Sequence, residues 1–595
     1  MTLSILNQSG SNLYDAGTIS GVSTKAISKL SSAQVASMDA DQLGGLTSNQ
    51  VSKLNLKGFS ALTSTQVAGF TSVQAGALTS AELNSLTQAN SLTNDVIANL
   101  NTAVIGKLSA AFLQILTTDQ ISSLTTDEVS ALTVSQLSRL TTIEIGALSG
   151  VQIRAIAATT LAKGLTGAQI VALSPDALTS ITTDQVHQLT SVQIGALTTA
   201  EFTALGSTTF QALSATQLKG LSSANVALLT GDEIGSLDSS HLGALSVAGI
   251  NALSPDVISQ IDIGAIAGLS ANQLSALSSS VASALTPDQV QTLSDVQISK
   301  LSTSFLNALS DSAVATLGGW SGTDTLAGLT STQLASLSTQ FVSNLTTEQM
   351  GWLTVTQISK LSTAAIGALS GAQIQKITTT AVKGLTGAQI ASLSLEAISQ
   401  FTTDQAAVLT SAQLSVLTTA EFAALGTGEI LALNSSQVKG LSSANVALLT
   451  ADQISHLSSS SIAGLSPAGI NALSQDVISQ ITTDAISYLT PSQLSALSSS
   501  VASALSSSQA GHLLSSQVTK LSSSFLNALS ADAIGALTTD AIAGFTATQL
   551  ALLSTDQITN LTSAQADKLK LTQLSKMGPE LIAYLYGQYP NLNPQ

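Results

Sequence analysis

Side chains able to do chemistry are few in this sequence and stand far apart. The four histidines, His187, His241, His456 and His512, fall in separate segments with no recognisable set of carboxylate or histidine partners at ligand spacing. Metal or catalytic histidines need converging partners, so solvated or half-buried repeat positions are the expectation. Cysteine is absent, which removes disulfides, thiolate chemistry and cysteine-based zinc or iron–sulfur sites together. Serine is abundant, yet no nucleophile elbow with triad partners is found. Gly318, Gly319 and Gly322 form a Gly-rich stretch without the Lys-Ser/Thr of a phosphate loop, and a joint is the better reading. Neither an EF-hand loop nor a Gly-Gly-x-Gly-x-Asp repeat occurs. No catalytic residue, cofactor or metal is therefore expected.

The aromatic residues are the remaining candidates. Trp320 and Trp352 lie on either side of a break in the repeat pattern, and Tyr584, Tyr586 and Tyr589 cluster in the tail LIAYLYGQYPNLNPQ. Exposed aromatics anchor partners, whereas capping a repeat array is the duty expected of a tail. The second reading is favoured, with partner contact kept open at these five positions.

Charge narrows the partners. Charged residues make up 9% of the 595, and 34 acids against 18 dispersed bases give a net charge of −16. Without a Lys/Arg cluster, nucleic acid is not an expected partner. Ser or Thr interrupts every apolar stretch well before the roughly eighteen residues that a membrane span requires. The start MTLSILNQSGSNLYDAG has neither a basic first region nor a sustained apolar run, so no cleavable signal peptide is read there.

The elements that carry these residues are set by an eight-residue clock. From Leu329 to Leu569 a large apolar residue returns at every eighth position, with Ile377, Phe401, Ile481 and Phe545 in place of Leu. The same clock runs from Leu30 to Leu86, with Met38 and Phe70, from Leu100 to Ile156 and from Leu165 to Leu317. It slips at residues 87–99, 157–164 and 318–328. The unit reads Leu, Thr or Ser, a variable residue, Ala or Asp, Gln, then Val, Ile or Leu and two mostly small residues, as in LTTDQISS from Leu116. A longer repeat overlies it, since KGLSSANVALLT at Lys219 recurs at Lys439, an offset of 220 residues. The expected organisation is an atypical N-terminal stretch 1–29, a first repeat block 30–317, a Gly-rich break 318–328, a second block 329–577 and a tail 578–595.

An uninterrupted helix would wind this apolar stripe around itself, because eight residues at 100° advance it by about 80° per unit. A short helix of about two turns in each octad fits instead. Thr or Ser is its N-cap, Gln three residues on completes a capping box, and Leu before the cap is stapled to Val or Ile after the Gln. Pro175, Pro255, Pro287, Pro467 and Pro491 directly follow the cap, the helical position that tolerates proline. Asp119, Asp184, Asp404, Glu82, Glu201 and Glu421 fall in the first turn, while fourteen of the eighteen bases, Lys29, Lys53, Arg154 and Lys163 among them, fall in an expected last turn. So short a helix is unstable alone, and an all-α repeat solenoid follows. The rival is a β-solenoid, in which the first and sixth positions have the wrong parity to share one face of a strand.

Octads such as LTTDQI, LTSAQL and LSSANV resemble those of long, Thr/Ala-rich, cysteine-free bacterial surface proteins of the adhesin-like repeat type. The resemblance spans Leu30 to Met577. It implies export without a cleavable signal to the cell surface or exterior, with cytoplasmic residence as the alternative. The expected function is non-enzymatic: self-association into a filament, sheath or surface layer. The alternative is an adhesin stalk or ligand-binding solenoid recognising glycans or an ordered surface such as ice.

Overall fold

The computed structural model describes residues 15–317 and 325–590. Among them the chain forms 69 α-helices, two 3-10 turns and no strand, so the solenoid is all-α. All but the last helix are four to seven residues long, one to two turns each.

One octad shows how each helix arises. Thr117 holds extended backbone at φ −76° and ψ 163° before the helix Thr118–Ser123. Its Oγ1 accepts from the Gln120 N–H at 3.2 Å, and Gln120 Oε1 accepts in return from the Thr117 N–H at 2.7 Å. Two amides left bare by the helix start are thereby satisfied together. Leu124 then returns to extended backbone at ψ 134° and leads into the next cap. Proline occupies the first turn at all five expected places, and Pro579 opens the final helix in the same way. The named acids lie in first turns as expected. The bases depart from expectation. Arg154, Lys163 and Lys376 lie in last turns, but Lys219, Lys383 and Lys439 are C-caps, and Lys29, Lys53 and Lys300 fall in the turn beyond. The helices stop early because the chain must turn to reach the next octad.

Within each compact part of the chain most helices pack on the third one along, as Gly150–Ala155 does on Thr126–Ser130. Three octads therefore close one coil. The anchors and the residues after the glutamines fill its inside, with Leu132, Leu137, Leu140 and Ile145 all at most 5% exposed. Small residues at octad positions seven and eight follow from the close approach of successive coils. A Cβ on Gly195 would lie 2.6 Å from the carbonyl oxygen of Gly220, and one on Gly69 would lie 2.5 Å from that of Ala40.

The glutamine at position five ties one coil to the next. Besides closing the capping box through Oε1, Gln136 donates from Nε2 to the carbonyls of Ile105 at 2.7 Å and Leu108 at 2.9 Å, 31 and 28 residues earlier. Gln405 does the same to Ile374 and Ile377, at 2.8 and 2.7 Å. The amide thus meets carbonyls at and just beyond the end of a helix of the preceding coil, where the regular helical pattern stops, and it is buried. Asn225 and Asn445, 220 residues apart, are shorter: each amide nitrogen reaches one carbonyl at 2.9 Å, and each Oδ1 is buried without a partner.

The chain divides into two compact units, 1–293 and 294–595, each built this way. In the first, the slips are absorbed by a 3-10 turn, Ala89–Ser91, and by the helix Ala158–Gly164, whose N-cap Ala157 offers no side-chain bond. In the second, the 3-10 turn Thr325–Gly328 takes the place of a helix and packs on Asp295–Ile298.

Candidate functional site

The structure scatters the aromatic candidates. Trp320 lies outside the described residues, and Trp352 ends the helix Thr347–Trp352 half-buried. Tyr584 and Tyr586 project from the final helix Pro579–Gln588 with 39% and 40% exposure. Tyr589 does something different: its hydroxyl donates to the carbonyl of Leu561, 28 residues earlier. That is the reach of the glutamine amide. Leu585, fully buried, still keeps the eight-residue clock sixteen positions after Leu569, and Tyr589 stands fifth from it. The tyrosine therefore closes the hydrogen-bond ladder, and burial raises its hydroxyl above the usual pKa. The sequence carried this signal in the spacing of Leu585 and Tyr589.

The titratable groups do not converge. His241 and His456 have carboxylate neighbours that the sequence reading missed: His241 Nδ1 lies 2.7 Å from Asp238 Oδ1, and His456 Nδ1 lies 3.4 Å from Asp452 Oδ1. Each pair is local to one short, exposed helix, at its start for His241 and along its length for His456. The backbone N–H of His241, the Ser240 hydroxyl and the His241 ring hold Asp238 well below the usual carboxylate range. Among the described residues no group of three or more metal-ligating side chains is assembled, and no helix is long and apolar enough to cross a membrane.

The glutamine row holds a few carboxylates. Glu82 and Glu128 occupy position five and are 2% and 1% exposed. Each carboxylate accepts from its cap through Oε2, at 2.7 Å from the N–H of Thr79 or Thr125. Burial raises both above the usual carboxylate range, opposed by those cap bonds. Oε1 of Glu128 is buried and has no partner; it stands where a glutamine would donate an N–H, and a carboxylate has none to give.

Outward-facing positions three and four carry mostly Ser, Thr, Ala and Asp, together with several strongly exposed aliphatic side chains. In the first unit Val73, Ile143 and Val192 are 80%, 71% and 77% exposed. Their helices, Ser72–Ala75, Thr142–Gly146 and Ser191–Ala196, are nine and six places apart when the 3-10 turn Ala89–Ser91 is counted. Both separations are multiples of three, so all three side chains belong to the same face of the coils.

Comparison with known proteins agrees with this architecture. The ALTTAQ repeat family model matches residues 163–199 and 422–459. The chain is a helical repeat protein. No curated protein matches it. Among solved structures, the pentatricopeptide repeat protein PPR10 from maize is 12% identical, with 96% of this chain and 93% of that one covered at a TM-score of 0.15. Importin beta is 12% identical, with 98% and 92% covered at 0.16. The leucine-rich repeat-containing protein LegL7 from Legionella pneumophila is 13% identical, with 43% and 79% covered at 0.11. At TM-scores this low, nothing that those proteins bind transfers to this chain.

Proposed function

We propose that this is a non-enzymatic structural repeat protein, exported to the cell surface or exterior, whose copies associate with one another into a filament, sheath or layer. The observation that supports this reading is the shared face of Val73, Ile143 and Val192, aliphatic side chains that the fold leaves in solvent. Exposed aliphatic side chains favour association, although the exposed Asp95 and Asp119 stand between Val73 and Ile143 on this face, and a chain with only 9% charged residues has little like-charge repulsion to hold copies apart. The buried amides, by contrast, are spent on tying coil to coil.

A second copy is the occupant this reading names, because it would bring the same exposed aliphatic side chains to the contact. Sedimentation velocity over a range of concentration and salt tests it, comparing the wild type with a Val73→Lys, Ile143→Lys, Val192→Lys variant. Wild-type assemblies that the triple variant loses support the reading; strictly monomeric wild type under all conditions sinks it. Recognition of glycans or an ordered surface would fall to the exposed position-three hydroxyls such as Thr118, Thr126 and Thr142, since the cap hydroxyls beside them are engaged with the helix starts.

A further inference from the structure

One octad of the first unit departs from all the rules above. At residues 205–212, LGSTTFQA, the cap is Gly206, whose φ of +76° is the only positive one among the described residues, and position five holds Thr209 instead of Gln. A space opens beside it. Phe202, Leu205, Phe210, Leu213 and Leu228 surround a half-open cavity of about 150 Å³, with Thr209 in its wall. Thr209 is 7% exposed. Phe202 and Phe210 meet edge to face, 6.2 Å between centroids and 85° between planes. Thr230 and Glu233 also line the cavity, and Glu233 is only half-buried. Its Oε2 accepts from the N–H and hydroxyl of Thr230 at 2.9 and 3.0 Å, which leaves Oε1 unengaged.

The copy of this octad 220 residues later also has a glycine cap and no glutamine at position five, but its backbone is ordinary. Gly426 has φ −71°, and Leu425 and Ile430 are 5% and 3% exposed. From Phe202 to Ser214 the two copies differ at seven of thirteen positions, including Phe210 for Ile430 and Thr209 for Glu429, while the twelve residues from Lys219 are identical to those from Lys439. Four of the seven, Thr203, Ser207, Thr209 and Phe210, line the cavity.

We infer that this cavity is a binding site for a small molecule made of one aromatic ring and a protonated amine. An apolar cavity of about this volume accommodates a single benzene-sized ring. Phe202 and Phe210 present ring faces and edges suited to an aromatic guest, Thr209 in the wall brings a hydroxyl to a polar substituent or to the ring face, and the Glu233 carboxylate pairs with the ammonium.

The test is calorimetric titration of the full chain with 2-phenylethylamine and with phenylacetate. The amine should bind saturably at one site and the acid at least tenfold more weakly. Glu233→Gln restores the common residue at its position and so leaves the fold intact; it should erase the preference for the amine. Thr209→Leu fills the cavity and should abolish binding. No saturable uptake of the amine, equal uptake of amine and acid, or uptake unchanged by either variant would overturn the assignment. So would a Thr209→Leu variant that loses self-association while still taking up the amine, because the cavity would then be seating a side chain of a second copy.

Discussion

Glu128→Gln tests the coil-to-coil ladder most directly. In wild type the carboxylate accepts from Thr125 through Oε2, while Oε1 is buried without a partner. Glutamine would place an N–H donor there, and the ladder register of Gln136, 28 and 31 residues back to Leu108 and Ile105, points it at the carbonyls of Leu100 and Ile97. Two net hydrogen bonds at about 1 kcal/mol each, together with relief of a buried orphan acceptor, give a local stabilisation of about 2 to 4 kcal/mol at neutral pH. Amide hydrogen exchange of the peptides around Leu100 and Val129 should slow by roughly 30-fold to several hundredfold, at about tenfold per 1.4 kcal/mol. The pH dependence has a fixed sign. Burial raises the pKa of Glu128 in the folded state, so the folded chain holds the proton more tightly than the unfolded one, and wild-type stability falls as pH rises from the unfolded carboxyl value, about 4.3, through the raised one. Glutamine does not titrate. The advantage of the variant is therefore full above the raised pKa and shrinks on acidification, as the protonated carboxyl itself becomes a donor. Exchange that is unchanged or faster in Glu128→Gln, or an advantage that grows on acidification, would refute this account.

Three further outcomes follow from the same geometry. Gln405→Ala removes the donor to Ile374 and Ile377 and the acceptor for the Thr402 N–H; exchange protection around those residues should drop by about 2 to 4 kcal/mol, more than for Ser442→Ala, whose cap bond to Asn445 is worth about 1. Leu441→Ala, at an anchor 5% exposed, should cost about 2 to 5 kcal/mol by the same measurement. Gly220→Ala would drive a methyl into the Ser191 carbonyl of the preceding coil, whereas a methyl on Gly76 meets its nearest atom only at 4.0 Å; thermal melting should show the first variant clearly destabilised and Gly76→Ala neutral or stabilised by up to about 1 kcal/mol.

What was legible in the sequence is what happens within eight residues. The Thr and Ser caps, proline after the cap, acids in the first turn and the Oε1 half of each glutamine's work all follow from local rules, and the structure has them in these places. The Nε2 half was hidden because its acceptors lie 28 and 31 residues away, a distance set by how many octads close a coil, and no periodicity within the octad encodes that number. The small residues at positions seven and eight carried a trace of it, since only close backbone contact between coils requires them. Lys219, Lys383, Lys439, Lys29, Lys53 and Lys300 were placed one or two residues too far into the helices because the corner between octads was counted as helix. The cavity was visible as a fault: Gly206 at a cap position and Thr209 where Gln belongs break the unit in two places within four residues. That signal says where to look, but the space between Phe202, Phe210 and Leu228 appears only when coils are stacked.

The ladder also determines how this protein yields to force. Every Nε2 bond described joins a coil only to the one before it, so no bond of this kind shares load across several coils. A terminal coil peeled from its neighbour leaves the next in the same condition, and three octads of chain, 24 residues, are released each time, about 80 Å of contour. Stretched from its ends, such an array lengthens in many small and nearly equal steps, a spring that gives way turn by turn and can rewind in the same order.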